Sequence, residues 1–469
     1  MNRISIQLLA CAGLLVVGHL WLWLAMPIAI EDAYITFRYA ANLVAGHGLV
    51  YNLGERVMGF TSLPWTLWCA LGLGLHVDPV AWTRLTSLLA DLGTLWLGSQ
   101  MLTGSARLSF SVFFAGWPLF AAAAGSGLET SAFLFLIMLA AWLVSERSEW
   151  GGIALGFLAV MRPEGLIAAA VIALAADWGS RLIAMTIALA VVGGTASYYG
   201  SPIPQSVIAK AALYGTPGPW AGSFWWEWLV PWVVTGRAPK LSECLHLLPI
   251  MAVFVGSMAT GATELARRLT SAAALAAGAG LAIWLGYITS GTAYFWWYIM
   301  PPFGAFALLA ASGFPQISRG RALPIAVSVM MLGIWSAARN LYGGRIGVEA
   351  DSFVRAAGLI AENSGPDDSV FLEPIGYVGY RTGLHVIDEI GLVSPELVAR
   401  RTHGAGWYAD EVASAKPTWL VVRPAVIESR DAFAGTGSPF RSVSERDRTL
   451  ADYELAATGT ISVYRRKQP

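Results

Sequence analysis

The sequence predicts a polytopic α-helical membrane protein with a small C-terminal extracytoplasmic α/β domain. Three observations carry that prediction. Hydrophobic residues make up 56% of the 469 and charged residues 13%, against about 25% charged in an average soluble domain, and the mean hydropathy is +0.58. Apolar stretches that meet or approach the ~20 residues needed to cross a hydrocarbon layer recur through the first 340 residues. Helices are the natural form for them, because lipid offers the backbone no hydrogen-bond partners. Beyond residue 340 the chain changes to short β-branched runs separated by helical or turn segments.

Taken in order, apolar helices are expected at about 5–26, 61–76, 80–102, 108–123, 129–145, 150–162, 165–178, 181–199, 246–261, 270–289, 295–313 and 322–339. Arg3 before the first run resembles the start of a signal peptide. The run is long, however, and no A-x-A-like cleavage site follows, so an uncleaved first helix is expected. Arginines in short loops set the sidedness: Arg3, Arg267 with Arg268, and Arg319 with Arg321 lie inside. Residues 27–60, 200–245, 290–295 and everything after 340 then lie outside. Counting every apolar run as a full crossing breaks this parity between 61 and 129. A short, broken or re-entrant segment at 108–123, where Gly116, Trp117 and Pro118 fall, restores it. The 21 tryptophans crowd segment ends and residues 220–232, as in interfacial belts.

The tail reads as a helix capped by Asp351 and stopped near Gly365, followed by the strand-like runs "SVFLE", "LHVID", "TWLVV", "YELAA" and "ISVYR". Two domains result: a membrane core over 1–340 and an outer domain over 341–469. No internal repeat or low-complexity tract is present. Net charge is zero with no basic block, which excludes a nucleic-acid partner. Cys11, Cys69 and Cys244 are scattered, so neither a disulfide framework nor a zinc site is indicated. P-loop, HExxH, GxSxG, CxxC and D-x-D patterns are missing.

Chemistry gathers first in "EDAYITFRYAANLVAGHGLVYNLGERVMGFT", residues 31–61. Phe37, Ala40, Ala41 and Val44 follow helical spacing, Arg38 and Asn42 share a polar stripe, and Gly46 and Gly48 end the pattern. The expectation is a short amphipathic helix on the outer membrane surface. Asp32 is open to two compatible roles, an N-cap and a general base. Glu31 beside it adds negative charge that raises a neighbouring pKa towards a base's working range.

Further polar marks lie on the same side. Glu129 begins a helix in "SGLETS", and Arg162 and Glu164 flank a proline in "MRPEG". Gln205 and Lys210 follow a helix end in "YYGSPIPQSVIAK", and Trp297 and Tyr298 form an aromatic ledge in "GTAYFWWYIMPP". Each has a plain structural reading: a helix cap for Glu129, a turn ion pair for Arg162 and Glu164, snorkelling for Lys210, a belt for the aromatics. Ionisable groups at a membrane boundary are nevertheless rare and costly, and their accumulation on one face points to a site. Asp91, mid-helix and seven residues after Arg84, reads either as a buried partner or as part of a conduction path.

The first-loop motif resembles that of GT-C-fold membrane glycosyltransferases, among them the mycobacterial terminal and the pilin arabinofuranosyltransferases. That loop typically reads D-D-A-[FY]-I-[ST]-x-R and then G-H-G-L-x-[WY]-N-x-G-E-R-V. "GLETSAFLFL", "RPEG", "YYGSPIPQSVIAK", "WWYIMPP" and "EPIGYVGYRTGLHVIDEIGLVSPE" are similar too, in the same order. The resemblance covers most of the chain and implies a polyprenyl-phosphate-sugar donor, a periplasmic-side active site in the bacterial inner membrane, and an acidic base at Asp32. Here Glu31 stands where Asp is commoner, and Pro204, Gln205 and Ser206 stand in place of P-N-T. The implied reaction is an inverting single displacement that moves a sugar, arabinofuranose among the options, onto a glycan, lipid or protein hydroxyl. Arg162 and Lys210 would face the donor phosphate, Arg38 and Arg56 would orient headgroup or acceptor, and Glu129, Glu164, Gln205, Trp297 and Tyr298 would contact substrate. No cofactor is firmly implied, a divalent metal is left open, and oligomeric state is unspecified. A transporter or flippase of a lipid-linked sugar is the alternative; paired discontinuous helices in related halves would mark it. A scaffold that binds partners through the outer domain is a third.

Overall fold

The computed structural model describes residues 3–213, 248–290, 295–318, 335, 338, 347–428 and 437–467. The N-terminal part is helical: α1 (Arg3–Trp23), α2 (Glu31–Val44), α3 (Leu63–Gly74), α4 (Pro79–Met101), α5 (Gly104–Gly116), α6 (Pro118–Gly125) and α7 (Thr130–Ser145). Then follow α8 (Gly151–Met161), α9 (Gly165–Ala173), α10 (Trp178–Tyr199), α11 (Gln205–Leu213), α12 (Leu248–Leu265), α13 (Ala272–Ser290) and α14 (Met300–Ile317). Among the described residues, three segments are long and apolar enough to cross a membrane: Ile6–Trp23, Trp178–Tyr199 and Ala272–Ser290. Together with shorter apolar helices at α3, α7 and α8, they identify a membrane protein. The helix expected at 322–339, most of the loop at 200–245, the tryptophans at 220–232 and Cys244 lie outside the described residues.

Local chemistry sets the helix ends. Asp78 caps α4 by accepting the Ala81 N–H at 2.9 Å, and Asp177 caps α10 by accepting that of Ser180 at 2.9 Å. That second cap moves the start of α10 forward from the expected 181. Arg181 in turn donates to the carbonyls of Ala173 and Leu174, which closes α9 short of the expected 178. The run expected at 108–123 is two helices, α5 and α6, bent by 51°. Pro118 begins α6 without an N–H to offer the previous turn, so the break falls there.

The C-terminal part comprises α15 (Gly347–Glu362), β1 (Ser369–Leu372), α16 (Gly376–Thr382), β2 (His385–Asp388), α17 (Pro395–His403) and α18 (Trp407–Ala415). It continues with β3 (Trp419–Val422), α19 (Pro424–Glu428), α20 (Val443–Ala451), β4 (Tyr453–Ala457) and β5 (Ser462–Arg466). The sheet order is β2-β1-β3-β5-β4. The first three strands are parallel, with Phe371 opposite both Ile387 and Leu420, and β5 pairs antiparallel with β3 and β4. Alternation along the strands fills two faces. Val370, Leu372, Trp419 and Val421 pack with Phe353 of α15 and Val378 of α16, while Phe371, Leu420 and Val422 pack with Trp407 and Tyr408 of α18. Asp351 is not the cap expected of it: α15 starts at Gly347 and Asp351 lies inside it.

The largest departure concerns α2. The amphipathic helix exists, but it does not lie open on a membrane surface; it is held between α3 on one side and α16 on the other. Its apolar face, with Ala33, Tyr34, Phe37 and Ala40, joins the core of the helical part, while Ile35 and Tyr39 join a cluster shared with the C-terminal domain. The polar stripe is used internally. Buried Arg38 donates to the carbonyls of Tyr51 (2.8 Å), Gly379 (2.7 Å) and Leu384 (2.6 Å), and lies 4.2 Å over the Tyr51 ring. Asn52 pairs through both side-chain groups with the backbone of Val386 on β2.

Candidate active site

A cavity of about 540 Å³ opens where α2, the turn before α9, α11, α13 and the start of α14 converge. Asp32 reaches it from the first turn of α2. Glu129, Arg162 and Glu164 line it from the ends of α7, α8 and α9. Ser206 and Lys210 line it from α11, and Tyr287 from α13. Phe295, Trp297 and Tyr298 form a ledge just ahead of α14, and Leu392 comes from the C-terminal domain. The residues from four separate polar motifs of the sequence thus meet around one space.

At its base Arg162, 5% exposed, donates from Nη1 to Glu129 (2.8 Å) and from Nε to Glu164 (2.5 Å). Its guanidinium lies 5.3 Å from the Tyr298 ring centroid, and that ring stacks on Tyr287 at 5.4 Å. The Tyr287 hydroxyl donates to Glu164. Glu129 stands at the N-cap position of α7 but makes no capping hydrogen bond; its carboxylate is turned to Arg162 instead. One cation between two carboxylates leaves that group with a net formal charge of −1, so Arg162 is a structural tie rather than an uncommitted anion receptor. Lys210 is the second cation in the cavity, 3.5 Å from the Tyr298 hydroxyl and 5.4 Å from the Phe295 ring centroid.

Asp32 and Glu31 part company. Neighbours on a helix project about 100° apart, so the two acids share no face. Helix α2 begins at Glu31 with Ile30 at the N-cap position, so Asp32 is not the cap. The Asp32 side chain makes no hydrogen bond or ion pair with any described residue and lines the cavity. Glu31 instead faces the C-terminal domain, where its carboxylate accepts the N–H groups of Gly376 and Tyr377 at the start of α16. Desolvation, then the charges of Asp32 and Glu373, push the Glu31 carboxyl well above the usual carboxylate range, against the pull of those two N–H donors.

Three other expected site residues also sit elsewhere. Arg38 is saturated by backbone carbonyls, as described above. Arg56 lies 4.9 Å over the ring of Tyr198, outside the cavity lining. Gln205 donates its side-chain amide to the Gly391 carbonyl at 3.0 Å, tying α11 to the C-terminal domain. Residues that the sequence did not single out complete the lining. Tyr287 is masked by the apolar helix around it, and Leu392 carries no polar signal. Buried Asp388 shapes the Leu392 loop, its carboxylate accepting the N–H groups of Ile390 (2.8 Å), Leu392 (2.5 Å) and Val393 (3.0 Å). Among the described residues, no three His, Cys, Asp or Glu side chains are grouped so as to hold a metal ion. Asp91 is bound to His19 at 2.8 Å within the helical core, a buried partner as one reading of the sequence has it.

With its helical membrane part and small C-terminal α/β domain, the chain has the GT-C fold. It is similar to ArnT from Cupriavidus metallidurans bound to undecaprenyl phosphate, with a TM-score of 0.62 and 12% identity over 99% of this chain and 98% of that one. The apo state of the same protein gives a TM-score of 0.60 and 11% identity over 96% of each chain. The oligosaccharyltransferase of Archaeoglobus fulgidus, tethered with an acceptor peptide, gives 0.57 and 10% identity over 98% of this chain and 74% of its own. A family model described as a domain of unknown function (DUF8728) matches residues 340–467. Comparison with curated proteins yields no match in sequence.

Proposed function

We propose that the chain is a glycosyltransferase that moves a sugar from a polyprenyl-phosphate donor to an acceptor hydroxyl, on the outer face of a bacterial inner membrane. The observation that carries the reading is the cavity itself. A carboxylate with no partner among the described residues, Asp32, shares one cavity with Lys210, and the fold is one in which ArnT binds undecaprenyl phosphate. Asp32 takes the proton of the acceptor hydroxyl as its oxygen attacks the anomeric carbon. The bond from that carbon to the phosphate oxygen breaks, and polyprenyl phosphate leaves with the electron pair. Its charge is held by Lys210 in a poorly solvated site. The new bond forms opposite the one that breaks, so the anomeric configuration inverts. Glu129 and Glu164 fix Arg162, while Trp297 and Tyr298 offer aromatic surface to the sugar. The resemblance of the first loop to arabinofuranosyltransferases favours a pentofuranose, with a cell-envelope glycan, lipid or protein as acceptor.

The test is transfer of radiolabelled sugar from the polyprenyl donor in membranes carrying the full chain. Asp32→Asn should fold normally and lower turnover between about 100- and 10,000-fold, the usual contribution of a positioned base. Undiminished turnover by this variant would remove Asp32 from the mechanism. Arg162 is a poor probe by comparison, since its removal strands two buried carboxylates and costs about 3–5 kcal/mol of stability.

A further inference from the structure

Buried hydroxyls in helices commonly donate back to the carbonyl one turn earlier. Ser111, Ser312, Ser352 and Thr83 all do so here. Ser206 does not. It is 2% exposed, and its hydroxyl has no partner among the described residues. The reason lies in its position: α11 begins at Gln205, so no helical carbonyl lies one turn behind Ser206. Ser87, Thr94, Thr130 and Ser257 are also buried without a hydroxyl partner among the described residues, but of these five Ser206 alone lines the cavity. A hydroxyl left in this way is costly, and no described residue holds that of Ser206 in its rotamer, so it can turn into the cavity towards a bound acceptor or donor group.

Its surroundings say what that group is. The first turn of α11 is pinned at both sides: the Gln205 N–H donates to the Met58 carbonyl at 2.9 Å and its side-chain amide to Gly391 at 3.0 Å. Gly59 and Leu392, next to those two anchors, line the same cavity as Asp32. One turn further along the same helix face, about 6 Å away, is Lys210. Ser206 and Lys210 thus line, one helical turn apart, the cavity that Asp32 also lines. A sugar esterified to a phosphate at Lys210 would bring its ring hydroxyls within reach of that turn.

We infer that Ser206 is the residue that reads the donor sugar, its hydroxyl hydrogen-bonding a ring hydroxyl of the sugar whose phosphate faces Lys210. This rests on the proposed function. Ser206 is then a specificity residue: it separates sugar-bearing from sugar-free polyprenyl phosphate and takes no part in holding the phosphate.

The experiment measures binding to the detergent-solubilised full chain of three probes: undecaprenyl phosphate, and the same lipid phosphate carrying arabinofuranose or mannose. The wild type should bind at least one sugar-bearing probe more tightly than the sugar-free one. Ser206→Ala should reduce that preference about 2- to 13-fold, the loss of one neutral hydrogen bond, and leave undecaprenyl phosphate binding unchanged. Ser206→Thr, which keeps a hydroxyl, should retain most of the preference. Because the hydroxyl has no partner among the described residues, Ser206→Ala should keep or raise the melting temperature, which separates this role from a structural one. An unchanged preference in Ser206→Ala, or an equal loss of binding for the sugar-free probe, overturns the inference. Lys210→Ala should weaken all three probes alike. If the wild type binds none of them, it is the proposed function that fails.

Discussion

Asp388 shows how a single buried carboxylate reaches the cavity from the C-terminal domain. It ends β2, and its oxygens gather three N–H groups of the following loop that aim Leu392 at the site. Burial outweighs those donors and pushes its carboxyl from the ordinary 3.8 up to about 6. A carboxyl whose folded-state value is raised binds its proton more tightly in the folded chain than in the unfolded one. Its contribution is therefore fully present below about pH 4 and is lost as pH rises through about 6. Melting curves should show wild type losing stability relative to Asp388→Asn as pH rises from 4 to 6, by roughly 1–3 kcal/mol. A difference independent of pH in that window would show that Asp388 keeps its ordinary acidity. Asp388 is readable from the sequence only as the last residue of a strand, because the donors it collects are backbone N–H groups of the apolar residues Ile390, Leu392 and Val393.

Helices α2 and α16 meet at a contact that tolerates no side chain. A Cβ at Gly376 would come within 1.9 Å of the Glu31 backbone oxygen and 2.6 Å of its carboxylate. Backbone atoms on both sides leave no flexible group to give way, so Gly376→Ala should part the two helices. The expected result is a stability loss of about 2–4 kcal/mol, with reduced transfer even though every cavity residue is intact; thermal unfolding and the membrane transfer assay read both. At this scale the sequence is legible where periodicity and turn chemistry agree. The β runs stand out between glycines and prolines, and Pro118 announces its break. Helix starts were less legible: Asp351 looks like a cap, yet the α15 helix starts four residues earlier. Glu31 and Arg38 were misread for a different reason. They lie on a helix whose polar face suggests water or headgroups, and nothing local reveals that another domain covers it.

The molecule as a whole depends on that covering. Arg38, Tyr51 and Asn52 of the first loop hold the backbone of Gly379, Leu384, Ile375 and Val386, and Gln205 holds Gly391. Arg38→Ala should lower stability by at least about 2 kcal/mol by stranding buried carbonyls, and Arg38→Lys should not restore it, since an ammonium cannot span the guanidinium's three acceptors. Limited proteolysis of the C-terminal domain, alongside melting temperature, measures the loss; a variant as resistant as the wild type would mean that the remaining contacts hold the domain without Arg38. The residue types of the site were legible because charge at a membrane boundary is costly, but their grouping was not, since it draws on positions from 32 to 392. That spread has a consequence for how the protein is made. Leu392 follows every other lining residue in chain order, so a ribosome has to pass it before the cavity gains its last wall. Until then the space around Asp32 and Lys210 lacks the wall that the C-terminal domain supplies, so the site is completed only after the whole helical part has been made.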